Sequence, residues 1–264
     1  ASPEKIERLQ KAISRNKESK PILGFVNPEL DSRFFKLEKS RNSFDLWLKM
    51  GSLGRKLSFT IPLKKTEVFN KWSVGKIAGS VRLCMSNVSI SFEIDTPTRK
   101  ANGNIVGLDV GMKTALTLSD GQISGKDVHG HTLETIVQKI SRCKKGSKGF
   151  RCATDHRKNH IGWTVNRLNF DGLREIRAEK LNFRGCKKSL LLSHWTYGPL
   201  FDKLERKCEE EGVLLTRVSS AYTSQKCSSC GDVDKGNRKG KVYKCSCGTV
   251  MDADLNASLN LRES

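Results

Sequence analysis

The chain has 264 residues, 36% hydrophobic and 29% charged, and 48 Lys and Arg against 28 Asp and Glu give it a formal net charge of +20. That length suits one large domain or two modest ones, and Lys or Arg interrupts every apolar run before it reaches the roughly 18–20 residues of a membrane span. The excess positive charge calls for a polyanionic partner, nucleic acid first, since an anionic membrane surface would want a basic amphipathic helix of a kind the sequence does not display.

In chain order, residues 4–20 place Ile6, Leu9 and Ile13 at helical spacing, so one helix with a solvated basic face is expected. The first twenty residues lack the apolar centre of a secretory signal, and a cytoplasmic protein is expected. From Ile22 to Glu93 the pattern changes to short alternating runs, Phe34–Leu37, Ser43–Leu48, Lys56–Ile61, Val81–Met85 and Val88–Glu93. These predict antiparallel strands forming a small basic sheet or barrel. Thr96 to Asn104, with Pro97 and Gly103, reads as a linker, so a first domain over 1–103 is expected.

Beyond it, Asn104–Val110 is an apolar strand carrying Asp109 near its end, and Lys113–Leu118 with the turn Ser119-Asp120-Gly121 completes a hairpin. Helical spacing returns over 132–142 and 155–170, on either side of a basic Gly/Ser loop at 144–149. Arg142, Lys144, Lys145, Lys148 and Arg151 in and around that loop are candidates for a phosphate-gripping lid. A strand over Leu173–Leu181 contains Glu179, a helix runs over Trp195–Gly212, and Val213–Val218 is a further strand. Strands alternating with helices indicate an α/β layer. Trp195 and Tyr197 suit anchoring of a helix, while Tyr222, beside Thr223 and Ser224, is a candidate contact to nucleic acid. His129, His131, His156, His160 and His194 include two close pairs without companion acids or cysteines at ligand spacing, which favours surface or structural roles.

Of nine cysteines, Cys84, Cys143, Cys152, Cys186 and Cys208 stand alone and read as ordinary thiols. The other four form Cys227-Ser-Ser-Cys230, fourteen residues, then Cys245-Ser-Cys247. Two close pairs of thiolates can surround one tetrahedral zinc, and Gly231 and Gly248 directly after them suit the positive φ of a tight knuckle. Two disulfides or four idle thiols are the alternatives. Four protein ligands close such a site, so its zinc would be structural and any catalysis lies elsewhere. Asp109, Glu179 and Asp254, the last within Asp252-Ala-Asp-Leu-Asn256 at the head of a periodic run, are hard oxygen donors on separate elements. Such donors suit a two-magnesium site for attack on a phosphodiester, although a strand-end acid is as readily a turn former or a helix cap.

The segment Ile105-Val-Gly-Leu-Asp109-Val-Gly-Met-Lys113-Thr-Ala-Leu-Thr-Leu-Ser-Asp120-Gly121 resembles the first RuvC motif of the transposon-encoded TnpB (OrfB) nucleases, relatives of type V CRISPR effectors. Ala178-Glu179-Lys180-Leu181-Asn182 is similar to their second motif, with Lys180 where the family usually has an acid. Thr223 to Gly231 with Cys245-Ser-Cys247-Gly248 resembles their zinc knuckle, and Asp252 to Ala257 their third motif. Residues 43–94 look like the family's wedge-type barrel.

The resemblance implies an α+β chain: an N-terminal antiparallel barrel, then an RNase H-like RuvC domain over 104–219 and 249–264, interrupted by a zinc-bearing, target-binding insert over 220–248. It implies Asp109, Glu179 and Asp254 as the magnesium triad, zinc on the four clustered cysteines, and DNA cleavage directed by a noncoding guide RNA, in a bacterial, phage or mobile-element protein. Guide-independent cutting of junctions or single strands, and a non-cleaving RNA-guided repressor, are the rival expectations. The short segment ahead of the barrel leaves a homodimer as one way to complete so small a protein.

Overall fold

The computed structural model describes residues 3–16, 26–40, 43–52, 57–111, 114–180, 197–219 and 221–264. Met112, Lys113, Leu181, Asn182, Cys186, His194 and Trp195, all drawn into the sequence reading, lie outside the described residues. The chain divides into two units, Ala1–Asp95 and Thr96–Ser264.

In the first unit, helix α1 (Pro3–Asn16) is followed by β1 (Glu29–Asp31), β2 (Phe35–Lys39), β3 (Leu46–Gly51), β4 (Ser58–Leu63), helix α2 (Glu67–Trp72), β5 (Lys76–Leu83) and β6 (Val88–Glu93). Alternation along β3 buries Leu46, Leu48 and Met50 on one face while Lys49 faces water. Leu48 and Met50 meet Val81 of β5, and Phe35, Leu37, Ile61, Leu83 and Ile90 pack around them. The strands form two antiparallel three-stranded sheets, β2-β3-β4 and β1-β5-β6, and neither closes on itself. The expected barrel is therefore corrected to two open sheets. Alternation marks which side of each strand is buried, but it is the same for an open sheet, a sandwich and a barrel, and pairing at the edges is what distinguishes them.

The second unit is built on β7 (Asn104–Asp109), β8 (Thr117–Leu118), β9 (Leu173–Lys180) and β10 (Leu214–Ser219), in the order β10-β9-β7-β8. β7, β9 and β10 are parallel and β8 is antiparallel to β7. Parallel neighbours need helical crossovers, and α3 (Leu133–Arg142), α4 (Lys148–Asn166) and α5 (Tyr197–Glu210) stand in those connections. Thr132 opens α3 with a capping box, its hydroxyl accepting from the N–H of Thr135 while Thr135 Oγ1 accepts from the N–H of Thr132. Leu108, Leu118, Val137, Val165, Ile176, Phe201 and Leu204 belong to one buried core. Three short strands, β11 (Arg238–Lys239), β12 (Val242–Lys244) and β13 (Val250–Asp252), form a small antiparallel sheet that feeds the final helix α6 (Ala253–Glu263).

α4 begins at Lys148, earlier than its apolar spacing predicts, because Ser147 caps it by accepting from the N–H of Phe150. Lys148 and Arg151 therefore stand in the first turn of a helix, with Arg142 in the last turn of α3 and Lys144 and Lys145 between. The basic Gly/Ser loop expected over 144–149 thus ends at Ser147, where α4 is capped. Among the described residues no helix is long and apolar enough to cross a membrane.

Candidate active site and cysteine cluster

The sheet register brings two acids side by side. Leu108 of β7 lies opposite Ala178 of the parallel strand β9, so the next residues, Asp109 and Glu179, are neighbours at the carboxyl ends of adjacent strands. In open α/β sheets that edge is where ligands bind. Gly107, two residues before Asp109 and on the same face, lies against the backbone of Ser258 and Arg262 in α6. One turn before Ser258, the first turn of α6 carries Asp254. Three elements therefore deliver Asp109, Glu179 and Asp254 to one place between the sheet and the N-terminus of a helix.

Their electrostatics bear this out. Burial, then the charge of Asp254, pushes the Asp109 carboxyl up to about 7 against the opposing pull of Arg238 and the Val110 N–H. Burial and then the charge of Asp109 push Glu179 up to about 7 as well, and the Val110 N–H opposes that shift too. Acids crowded out of water with too few cations between them hold their protons, and such a group has an affinity for a hard cation. Asp254 is handled differently. Arg238 donates to its Oδ1 at 2.9 Å, and the Lys241 ammonium lies 3.6 Å from its Oδ2 and also meets the Thr114 hydroxyl. Asp252 caps α6 by accepting from the N–H groups of Asp254 at 2.9 Å and Leu255 at 3.2 Å, which fixes the turn carrying Asp254.

The four cysteines converge closely. Among the described residues they are the set of candidate ligands whose donor atoms all lie within 4.8 Å of one another. Cys227 Sγ is 3.8 Å from Cys247 Sγ and Cys230 Sγ is 3.6 Å from Cys245 Sγ. Those separations far exceed a disulfide bond, and they match the edge of about 3.8 Å of a tetrahedron with metal–sulfur bonds of about 2.3 Å. All four are free thiols. Gly231 and Gly248 adopt φ of 80° and 93°, as their places after the pairs predict. Burial acts to raise the Cys227 thiol, but the N–H groups of Cys230 and Ser229 bring it below its ordinary value, and the Thr249 hydroxyl and N–H hold Cys247 down to about 6. The donor set suits a thiolate-binding ion such as zinc.

Two asparagines tie this cluster to α6. Buried Asn256 accepts from the N–H of Ser228 at 3.0 Å and donates to the Lys226 carbonyl at 2.8 Å. Asn260, one turn on, donates to the carbonyls of Thr223 at 2.9 Å and Lys226 at 2.7 Å. Their roles, and those of Arg238 and Lys241, escape the sequence reading. The asparagines leave one trace, two amides four residues apart on a helix, whereas one Arg and one Lys among forty-eight basic residues leave none.

The remaining candidates are dispersed. Arg142, Lys144, Lys145, Lys148 and Arg151 are exposed at the α3–α4 corner, and among the described residues none forms an ion pair. Tyr222 is exposed in a left-handed conformation, φ 63°. Tyr197 anchors α5 as expected, its hydroxyl donating to the Glu179 carbonyl at 2.6 Å and its ring lying against Phe201.

Fold and site together define an α/β chain with an acidic centre at its sheet edge and a four-cysteine cluster fastened to the helix that carries one of the acids. Residues 197–261 match a family described as Cas12f1-like, TNB domain. A CRISPR-associated endodeoxyribonuclease Cas12f1 from Sulfoacidibacillus thermotolerans is 34% identical over 146 residues, covering 54% of this chain and 34% of the relative. A putative RNA-guided DNA endonuclease from Streptomyces pristinaespiralis is 28% identical over 202 residues, covering 66% of this chain and 48% of the relative. A solved Cas12f1–sgRNA–target DNA complex shares the fold with a TM-score of 0.56 and 17% identity, over 98% of this chain and 69% of that one. The chain is similar to Cas12f1 proteins and to a TnpB-like protein from Aquifex aeolicus, and its match spans about a third of the Cas12f1 relative's length.

Proposed function

We propose that this chain carries the nuclease centre of a magnesium-dependent, RNA-guided DNA endonuclease. The convergence of Asp109, Glu179 and Asp254 at the carboxyl edge of parallel strands carries the reading, and the activities for which the relatives are named support it. In it the second unit contains an RNase H-like RuvC domain over 104–219 and 249–264, and 220–248 is an insert that grips target nucleic acid. Cys227, Cys230, Cys245 and Cys247 hold a structural zinc.

Asp109, Glu179 and Asp254 present the oxygens that would hold magnesium, which when bound supplies the positive charge that aligns a scissile phosphate and activates water. The Val110 N–H braces the first two acids, and the Asp252 cap holds the third in the first turn of α6. Arg238 and Lys241 offset the charge of Asp254. Basic side chains elsewhere, Arg142, Lys144, Lys145, Lys148 and Arg151 with Tyr222 among them, supply sequence-independent hold on nucleic acid.

The test compares Asp109→Asn and Glu179→Gln with the parent in cleavage and DNA-binding assays. Each variant is expected to lose cleavage by at least about 100-fold, since each removes a group acting in the transition state, while binding stays near the parent's. Cleavage within a few-fold of the parent by either variant overturns the assignment.

A further inference from the structure

Asp127, ahead of α3, gathers histidines from two elements that take no part in the chemistry above. Its Oδ1 accepts from the backbone N–H groups of His129 and His131, both at 2.9 Å. Its Oδ2 lies 3.2 Å from Nε2 of His156 and 3.7 Å from Nδ1 of His160. His156 and His160 are one turn apart on α4 and share a face. The His131 ring stands edge-on to His156, with centroids 5.1 Å apart. The two histidine pairs that the sequence presents separately thus meet on one carboxylate.

An ordinary loop cap explains Asp127, and a hydrogen bond explains His156. Neither explains His160, whose side chain is 1% exposed and whose Nδ1 is buried without a hydrogen-bond partner. A buried polar atom left in that state is costly, and 3.7 Å from an oxygen is too long to satisfy it. The nearest carboxylate oxygen recorded for that nitrogen is Asp127 Oδ2, at 3.7 Å.

We propose that Asp127, His156 and His160 form a second metal site, with His131 at its rim, for zinc or another divalent ion that favours imidazole. With metal–ligand bonds of about 2.0–2.2 Å, neighbouring donors around a tetrahedral ion stand about 3.3 Å apart. The two edges at Asp127, 3.2 and 3.7 Å, lie close to that value. The edge between the two imidazoles is wider, since the three donors do not all fall within 4.8 Å of one another, so binding draws the partly exposed His156 inward. Burial holds His160 toward its neutral form, the form that binds metal. Three protein ligands leave a fourth position for His131 or water, and the ion would pin the loop before α3 to α4.

The test counts metal in the full chain, prepared with zinc and passed through a metal-free desalting column, and then reads cobalt-substituted protein by absorption. Two equivalents per chain are expected, and His156→Gln and Asp127→Asn should each retain one. In the cobalt-substituted parent, thiolate charge transfer should account for one equivalent, and His156→Gln should lose ligand-field intensity while keeping that charge transfer. Parent protein that holds only the thiolate-type equivalent overturns the proposal, as does a second equivalent that survives both His156→Gln and Asp127→Asn. The count on the parent protein stands even if a His160 variant fails to fold. The outcome is independent of cleavage, so the nuclease reading and this site stand or fall separately.

Discussion

Gly107 shows how one missing side chain locates the acidic centre. A Cβ there would overlap the Ser258 carbonyl and approach the Arg262 nitrogen to 2.5 Å, so only glycine lets α6 lie against β7 and bring Asp254 near Asp109. Gly107→Val should lower unfolding free energy by more than about 3 kcal/mol in urea titrations, because backbone cannot move aside as a flexible side chain can. An unchanged midpoint would mean the helix packs elsewhere. The two raised carboxyls make a second prediction at this scale. Folded Asp109 and Glu179 keep their protons up to about 7, whereas in the unfolded chain they release them near 3.8 and 4.5. Folding therefore favours the protonated forms, and their stabilising contribution is complete below the unfolded values and lost as pH rises through 7. In magnesium-free buffer the melting temperature should fall between about pH 4 and pH 7 through these groups. Asp109→Asn with Glu179→Gln should flatten that fall, and added magnesium should raise the melting temperature more at the higher pH.

Among the elements, the small sheet β11-β12-β13 and helix α6 act together. The cysteines are spread over the turns around that sheet, Asn256 and Asn260 fasten the first of those turns to α6, and Arg238 and Lys241 reach Asp254 from the same sheet and the turn beside it. Four thiolates this close repel one another without a cation, so metal binding here is also folding energy. One firmly held zinc is expected at this cluster. Cys227→Ser, or chelation of that zinc, should speed amide hydrogen exchange across 226–252 and at the start of α6, with little change in β7 and β9. Equal exchange in parent and variant would show that the hairpins hold themselves. The asparagines make the coupling mutual, since losing the Asn256 amide removes the acceptor of the half-buried Ser228 N–H, at about 1–3 kcal/mol.

At the scale of the whole molecule the dominant quantity is the charge of +20. It accounts for affinity to any polyanion but not for choice among them, because phosphate contacts carry no base information. If a guide supplies the choice, protein purified from its native host should carry a discrete RNA, and cleavage should follow a change in that RNA's pairing segment. Selective cutting of a branched or single-stranded substrate by RNase-treated protein would instead establish guide-independent action. Guided DNA binding without any cleavage would establish the repressor. Salt titration separates none of these, since all release counterions on binding.

Local chemistry was enough for much of what depends on neighbours in sequence. The paired cysteines and their glycines announced a four-cysteine cluster, the apolar run ending at Asp109 announced a strand, and the spacing of Leu133, Ile136, Val137 and Ile140 announced α3. Resemblance to the TnpB motifs then singled out Asp109, Glu179 and Asp254 before any geometry was known. Six-residue α2 and the start of α4 were illegible because a short helix, or one opened by Lys and Gly, has little apolar period to read. What only the tertiary structure decided are the long-range pairings: open sheets where alternation allowed a barrel, Arg238 on Asp254, the asparagines under the cysteine turns, and His156 and His160 on Asp127. Periodicity records which face of an element is buried, and a lone polar side chain carries no mark of the distant partner that will satisfy it, so those contacts exist only once the chain has closed on itself.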